Sequence, residues 1–244
     1  MDPISSFQRE VAQSIREARE DTEFLRLSRE WFEKSVTRKY PYNFTWMGVP
    51  IIQYPQDIIA MQELIFDIRP DLIVETGIAH GGSLIFYASM LELYCGRGRV
   101  IGVDIDIRAH NRERLEKHPM FSRISLIQGS STEQETVDAV FEMANGYENP
   151  LVVLDSMHTH EHVLAELRAY SPLVKKDGYI VVFDTIIEDM PGSFYSDRPW
   201  SVGNNPKTAV HAFVRENDAF VIENTIESKL LLTTCPDGFL RRKI

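Results

Sequence analysis

The sequence predicts an α/β fold with a mostly parallel, seven-stranded sheet and helices on both of its faces. Three observations carry this expectation. Short apolar runs at residues 72–74, 99–104, 123–128, 151–154 and 179–183 alternate with stretches of helical spacing. The runs are continuously apolar rather than alternating, the pattern of strands covered on both faces. Polar residues then cluster where those runs stop: Glu75, Asp104, Ser130 with Ser131, Asp155 and Asp184.

Taken in order, residues 5 to about 34 read as helical, with Phe7, Val11, Ile15 and Ala18 on one face. This segment is expected to pack as a helix, with a lid or a dimerisation arm as alternatives. Residues 37–55 are aromatic and proline-punctuated and read as an ordered loop carrying Tyr40, Tyr42, Phe44 and Trp46. Helical spacing returns over 55–68 through Ile58, Ile59, Met61, Leu64, Ile65 and Ile68, and Pro70 ends it.

The first sheet strand opens the stretch DLIVETGIAHGG, in which Glu75 ends the apolar run. Gly77, Gly81 and Gly82 then lead into the helical run SLIFYASMLELY. Glycine tolerates positive φ and lets the backbone approach a neighbour closely. The spacing differs from the Gly-x-Gly-x-x-Gly of dinucleotide sites. A strand-end glutamate attracts an ammonium and repels a diphosphate, which suits S-adenosylmethionine. A plain strand-to-helix turn is the competing reading.

Helices are expected at 110–118, 132–145 and 161–174. Residues 184–206 form a long polar loop, and lengths of this kind are more often functional than not. Pro206, after Asn204 or Asn205, begins the helix KTAVHAFVREN. Runs at 219–222 and 229–233 are expected to close the sheet as an antiparallel pair.

The 244 residues suffice for one large α/β domain with an N-terminal extension. The division expected is residues 1–54 for a helical extension and aromatic loop, and 55–244 for the main domain. A net charge of −10 disfavours nucleic acid, whose binding needs basic patches. Apolar runs are too short for a bilayer span and the N-terminus is polar, so a cytoplasmic protein is expected. Cys95 and Cys235 are too isolated to suggest a disulfide framework or a thiolate zinc site.

In open parallel sheets, ligands bind outside the carboxyl ends of the strands. Asp104 is placed to accept from ribose hydroxyls, and Ser130 or Ser131 to meet an adenine edge. Asp155 and Asp184 end consecutive strands, and converging carboxylates make a Mg²⁺ site, with Glu188 and Asp189 as further donors. His158 lies three residues after Asp155 and can take a proton near neutral pH. HTHEH at 158–162 matches a His-x-x-Glu-His pattern, but that motif requires a helix, and here its first histidine falls in a turn.

The stretches VETGIAHGGS, GVDIDIR, VLDSMHTHEHV, YIVVFDT and DRPWSVGNNPKTAV resemble the cephalosporin hydroxylase family over residues 35–235. Members of that family resemble S-adenosylmethionine-dependent O-methyltransferases acting on sugars and rhamnosyl groups. The resemblance implies a Rossmann-like methyltransferase fold. It implies cofactor contacts at Glu75, Gly77, Gly81, Ser83, Asp104 and Ser130, and Thr76, Gly82, Ser131 and Asp155 are expected beside them. Mg²⁺ is implied at Asp155 and Asp184, with His158 as general base beside Asp155. One departure matters: relatives often carry two adjacent acidic residues where this chain has Phe183 before Asp184.

The expected activity is therefore Mg²⁺-assisted methyl transfer to a small hydroxyl acceptor such as a sugar, by a homo-oligomer. Phe194, Tyr195, Trp200 and the loop around Trp46 are candidate acceptor walls. A non-catalytic accessory protein and a nicotinamide oxidoreductase are the alternatives.

Overall fold

The computed structural model describes residues 2–244, the Cys95 side chain excepted. It begins with two helices where the periodicity predicts one. Helix α1 (Pro3–Glu20) and helix α2 (Thr22–Thr37) are separated at Asp21, whose extended backbone breaks the run and whose side chain caps α2 by accepting from the Phe24 amide. No α1 residue is buried; Ile4, Phe7 and Val11 are exposed, so the expected packing of this helix is not met within one chain.

A 3-10 turn (Tyr40–Asn43) leads into a two-stranded hairpin, β1 (Thr45–Trp46) and β2 (Val49–Pro50), inside the region expected to be loop. Met47 and Gly48 turn it, both with positive φ. Then follow α3 (Pro55–Ile68), β3 (Leu72–Thr76), α4 (Gly82–Cys95), β4 (Arg99–Asp104) and α5 (Ala109–Glu116). After these come β5 (Ile124–Gln128), α6 (Gln134–Ala144), β6 (Pro150–Leu154), α7 (His160–Tyr170) and β7 (Tyr179–Val182). The chain ends with α8 (Pro206–Glu216), β8 (Phe220–Ile222), α9 (Asn224–Ser228) and β9 (Phe239–Arg242).

The main sheet has seven strands in the order β5-β4-β3-β6-β7-β9-β8. The first five are parallel, and β9 runs antiparallel to both β7 and β8. Alternate strand residues feed two cores. Ile73, Val100, Leu151, Val153 and Val181 pack with α3 and α4, whereas Leu72, Val74, Ile101, Val103, Val152 and Leu154 pack with α6, α7 and α8. Helix α4 is apolar on nearly every side and is correspondingly enclosed.

The closing strand differs from expectation. Residues 229–233 are not a strand; the antiparallel partner is β9. The cause is a competing set of hydrogen bonds. The buried Asp57 carboxylate on α3 accepts from the Thr233 hydroxyl at 2.5 Å, and from the Thr234 amide and hydroxyl at 3.0 Å each. Of these only the Thr234 amide is a backbone group; within the run itself the Leu230 and Leu232 amides bond locally, to the Glu227 and Leu230 carbonyls at 2.9 and 2.6 Å, and are unavailable to a ladder. Leu231 and Asp237 adopt positive φ, and the chain turns twice before β9.

The order of strands reverses between β3 and β6, because β4 and β5 extend to one side of β3 and β6 and β7 to the other. Crevices form at the carboxyl ends of strands at such a point. Glu75 and Asp155 flank it: the Asp155 amide donates to the Thr76 carbonyl at 2.9 Å.

Candidate active site

The turn after β3 is shaped by close backbone packing. A β-carbon on Gly77, whose φ is +88°, would overlap the Asp155 carbonyl, and one on Gly82 would overlap that of Pro50. These glycines therefore let β6 and the hairpin approach the turn. Gly81 takes the left-handed conformation and caps α4 without any side-chain hydrogen bond, which leaves the first amides of that helix without a capping partner. The resulting cleft holds about 50 Å³ and is lined by residues 50–53 and 77–83 with Asp155.

Glu75 lies beneath this turn, 1% exposed. Ser83 Oγ donates to its Oε2 at 2.7 Å, while Oε1 has no hydrogen-bond partner among the described residues. Burial raises the carboxyl to about 8, against the opposing pull of the Ser83 and Tyr87 hydroxyls. Thr76 is also buried with an unpartnered hydroxyl. Asp104 clasps the turn: Oδ2 accepts from the Ile78 and Ala79 amides at 2.8 and 3.3 Å, and Oδ1 from Asp106 at 3.0 Å.

The two serines after β5 diverge. Ser131 is buried, donates to Glu166 Oε1 at 2.5 Å and lies 3.0 Å from His162 Nε2, so its hydroxyl is engaged within the protein. Ser130 is half-buried, with Thr132 Oγ1 at 3.2 Å. Ser156 also donates to Glu166 Oε1, at 2.6 Å, and Glu166 Oε2 is buried without a partner among the described residues.

Asp155, His158 and Asp184 converge, with one donor atom from each lying within 4.8 Å of the others. Asp155 follows β6 directly. Asp184 follows β7 by two residues and has a φ of +57°, an uncommon conformation that turns the chain into a 3-10 segment. His158 Nε2 is 3.2 Å from Asp184 Oδ2. The Asp155 carboxyl is pushed well above the usual range, first by burial and then by Asp184, Glu75, Glu166 and Asp57. An extra positive charge would relieve this crowding of carboxylates.

Several further expectations resolve differently. Glu188 accepts from the Gly203 amide and the Asn205 side chain, and Asp189 pairs with Lys207 at 2.7 Å, so neither joins the cluster. Phe183 is buried in the core beside Val181, and the third donor at the cluster is an imidazole. Helix α7 starts at His160, which leaves His158 outside it, as a peptidase motif would not allow. Asn205 is the N-cap of α8 and forms a capping box with Thr208.

Of the aromatic candidates, Trp200 stands at the site, edge-on to the His158 ring at 4.8 Å, with Arg198 over its own ring at 5.5 Å. Phe194 and Tyr195 pack against Phe32, Tyr54 and Met190, and Trp46 packs on Phe86 while donating to Ser89. Sequence reasoning missed Gln53, Asp57 and Glu166, all buried polar residues within apolar or helical runs. A larger groove of about 330 Å³ between α6 and α7 shares no residue with the cleft.

Residues 38–243 match the family model described as rhamnosyl O-methyltransferase/CmcI. The rhamnosyl O-methyltransferase of Mycobacterium tuberculosis (strain ATCC 25618 / H37Rv) is 29% identical over 205 residues, covering 81% of this chain and 78% of the relative. That of Mycobacterium leprae (strain TN) is 29% identical over 201 residues, covering 82% and 83%. Among solved structures, CmcI-N160 without ligand aligns with a TM-score of 0.58 at 19% identity, covering 83% of this chain and 77% of that one. CmcI-D160 with Mg and SAM gives 0.57 at 20%, covering 83% and 78%. These are likenesses of fold. With more than four-fifths of its length inside the family model, the chain belongs to the rhamnosyl O-methyltransferase/CmcI family of O-methyltransferases.

Proposed function

We propose that this protein uses S-adenosylmethionine to methylate a hydroxyl of a sugar or similar small polar compound, with a divalent cation at the acceptor site. The observation that carries this reading is the convergence of Asp155, His158 and Asp184, with Asp155 itself lining the cleft at the glycine turn. The unpartnered Glu75 Oε1 fits a ligand ammonium, and the acidic cluster fits a cation. The rhamnosyl O-methyltransferase activity for which the mycobacterial relatives are named supports a sugar acceptor.

When bound, S-adenosylmethionine supplies a sulfonium methyl group, which the acceptor hydroxyl oxygen takes as it gives up its proton. A divalent cation held by Asp155 and Asp184 would supply Lewis-acid polarisation of that hydroxyl. His158 receives the proton at Nε2, and Asp184 Oδ2 holds the resulting imidazolium. Trp200 fixes the plane of the imidazole, and the turn clasped by Asp104 fixes the cleft. Holding both partners in line contributes more than any covalent assistance, since alignment alone is worth orders of magnitude in rate.

The cluster geometry favours one second reading for His158. With Phe183 in the core, the imidazole is the third donor to the cation rather than the base. An N-donor widens the choice beyond Mg²⁺, which prefers oxygen, to Mn²⁺ and its neighbours.

Residues 55–244 are the proposed cofactor-binding domain, and 1–54 the extension. The exposed apolar residues of α1 and α2, among them Phe7, Val11, Leu27 and Trp31, support a homo-oligomer. No helix among the described residues is long and apolar enough to cross a membrane. Titration with S-adenosylhomocysteine, with Mg²⁺ and with a chelator, followed by methyl transfer to hydroxylated sugars, tests the reading. Absence of S-adenosylhomocysteine binding under both conditions overturns it.

A further inference from the structure

We propose that Glu166 is a positioning residue that yokes the cofactor half of the site to the cation half, so that S-adenosylhomocysteine and a divalent cation each strengthen the binding of the other through it. The proposal rests on the reading above and adds to it a residue that touches neither ligand.

Helix α7 carries a polar stripe on a face that is otherwise core. Its buried residues are Val163, Glu166, Leu167 and Tyr170, and His162, Glu166 and Tyr170 recur at intervals of four, which aligns them along the helix. The stripe meets two separate segments. On one side is the loop after β5: the Ser131 hydroxyl donates to Glu166 Oε1 at 2.5 Å, and the Ser131 carbonyl accepts from the Tyr170 hydroxyl at 2.7 Å. On the other side is the turn after β6, where Ser156, the neighbour of Asp155, donates to the same Oε1 at 2.6 Å. Glu166 is 0% exposed, and its Oε2 has no hydrogen-bond partner among the described residues.

Both segments are thus tied to one atom rather than to two. With each serine on its own carboxylate oxygen, either loop could shift while the carboxylate rotated to follow it. With both on Oε1, a shift of one must move the other or break a charge-assisted hydrogen bond, which is about twice as strong as a neutral one. A buried carboxylate is a poor source of stability, because an apolar side chain fills the same volume without the desolvation cost. Its contribution here is a fixed relation between two loops.

Geometry rules out two other uses. His162 Nε2 lies 3.0 Å from Ser131 Oγ, but Glu166 Oε1 approaches that same nitrogen at 3.4 Å. The carboxylate of a nucleophile triad holds the other ring nitrogen, so these three residues do not form one. Glu166 is also outside the group of donors formed by Asp155, His158 and Asp184. Its charge is still felt there, since it helps to push the Asp155 carboxyl upward after burial, Asp184 and Glu75.

A cation that fixes Asp155 also fixes Ser156 and, through Oε1, Ser131. A cofactor reaching the loop after β5 then has less ordering to do, and by linkage the cofactor aids the cation by the same factor. Calorimetric titrations of Mn²⁺, with and without saturating S-adenosylhomocysteine, measure that factor on the wild-type chain, Ser131→Ala, Ser156→Ala and the double variant. About a tenfold gain in Mn²⁺ affinity is expected for the wild type, or ~1.4 kcal/mol of coupling. Each single variant should bring the gain within about twofold of none, and the double variant should do no more, because both serines act through one atom. A merely structural role would weaken one ligand or both and leave the ratio intact. Glu166→Ala should abolish the coupling as well; the serine variants serve should that chain fail to fold.

A wild-type ratio of one, or a tenfold ratio that survives in either serine variant, overturns the proposal while leaving the cofactor reading intact. A wild-type chain that binds neither ligand overturns both, and one that binds S-adenosylhomocysteine but no Mn²⁺ overturns the cation half of the reading together with the coupling.

Discussion

His158 Nε2 lies 3.2 Å from Asp184 Oδ2, joining the turn after β6 to the turn after β7 across two parallel strands. This contact gives His158 two chemically exclusive uses. As a base it needs Nε2 for the acceptor proton, and as a ligand it gives the same lone pair to a cation. His158→Ala is expected to lower methyl transfer about 100-fold or more, with S-adenosylhomocysteine affinity within about twofold of wild type. Divalent-cation affinity, measured by calorimetry on the same variant, decides between the uses. Unchanged affinity keeps the base, and lost affinity makes His158 the ligand.

Glu75 links cofactor binding to pH. Its folded-state pKa, raised to about 8 from an ordinary 4.5 by burial, means that the folded chain retains a proton which the unfolded chain has lost. Stability therefore falls as pH rises from about 4.5 to 8, and the full cost is present above 8. Glu75→Gln should lessen the fall of the melting temperature over that interval, leaving the part due to Asp57 and Asp155. A ligand ammonium prefers the ionised form, so binding below pH 8 releases a proton. S-adenosylhomocysteine affinity should then rise towards pH 8, by at most about tenfold per unit. In Glu75→Gln the affinity should be weaker and flat. A flat wild-type profile would remove Glu75 from the ammonium site.

Much of the sheet was legible because its strands are continuous apolar runs; the boundaries expected for the second strand and for the helix over 55–68 match β4 and α3. Strand-end polar residues led to Asp155, His158 and Asp184, since strand direction places every carboxyl end on one side. The pattern could not reveal Gln53, which lines the cleft only because the hairpin packs over α4. Nor could it reveal that Ser131 faces Glu166, because the two meet only when α7 packs on the sheet. Residues 229–233 misled for a related reason: their local preference for a strand loses to turns in which the Leu230 and Leu232 amides bond locally, with Thr233 and Thr234 anchored on Asp57.

Asp57 provides a test of that last point. Burial raises its carboxyl to about 6 despite three stabilising hydrogen bonds from Thr233 and Thr234. The Thr234 carbonyl in turn accepts from the Ile186 amide at 3.3 Å, two residues beyond Asp184. Asp57→Ala should leave three donors unmatched and lower stability by about 1–3 kcal/mol. It should also loosen the turn carrying Asp184, weakening divalent-cation binding several-fold while Asp57 touches no ligand. Denaturant melts and cation titrations read the two effects. Lost stability with unchanged cation affinity would confine Asp57 to anchoring the C-terminal segment.

The cation site itself is tested most directly through stability. Asp155 and Asp184 repel one another and lie close to Glu75 and Asp57, so the native chain holds several carboxylates near one point at a cost. The unfolded chain disperses them. A divalent cation that binds the folded state alone therefore raises the melting temperature, by an amount equivalent to about 2.7 kcal/mol at 100 times its dissociation constant. A chelator should reverse the gain. Asp184→Asn should abolish most of the increment yet raise the cation-free melting temperature, because one of two repelling charges is gone. Asp155→Asn should behave alike, since the Asp155 carboxyl is the one that its surroundings push up. A protein whose melting temperature ignores Mg²⁺ and Mn²⁺, and whose aspartate variants only lose stability, holds these carboxylates for a reason other than a metal.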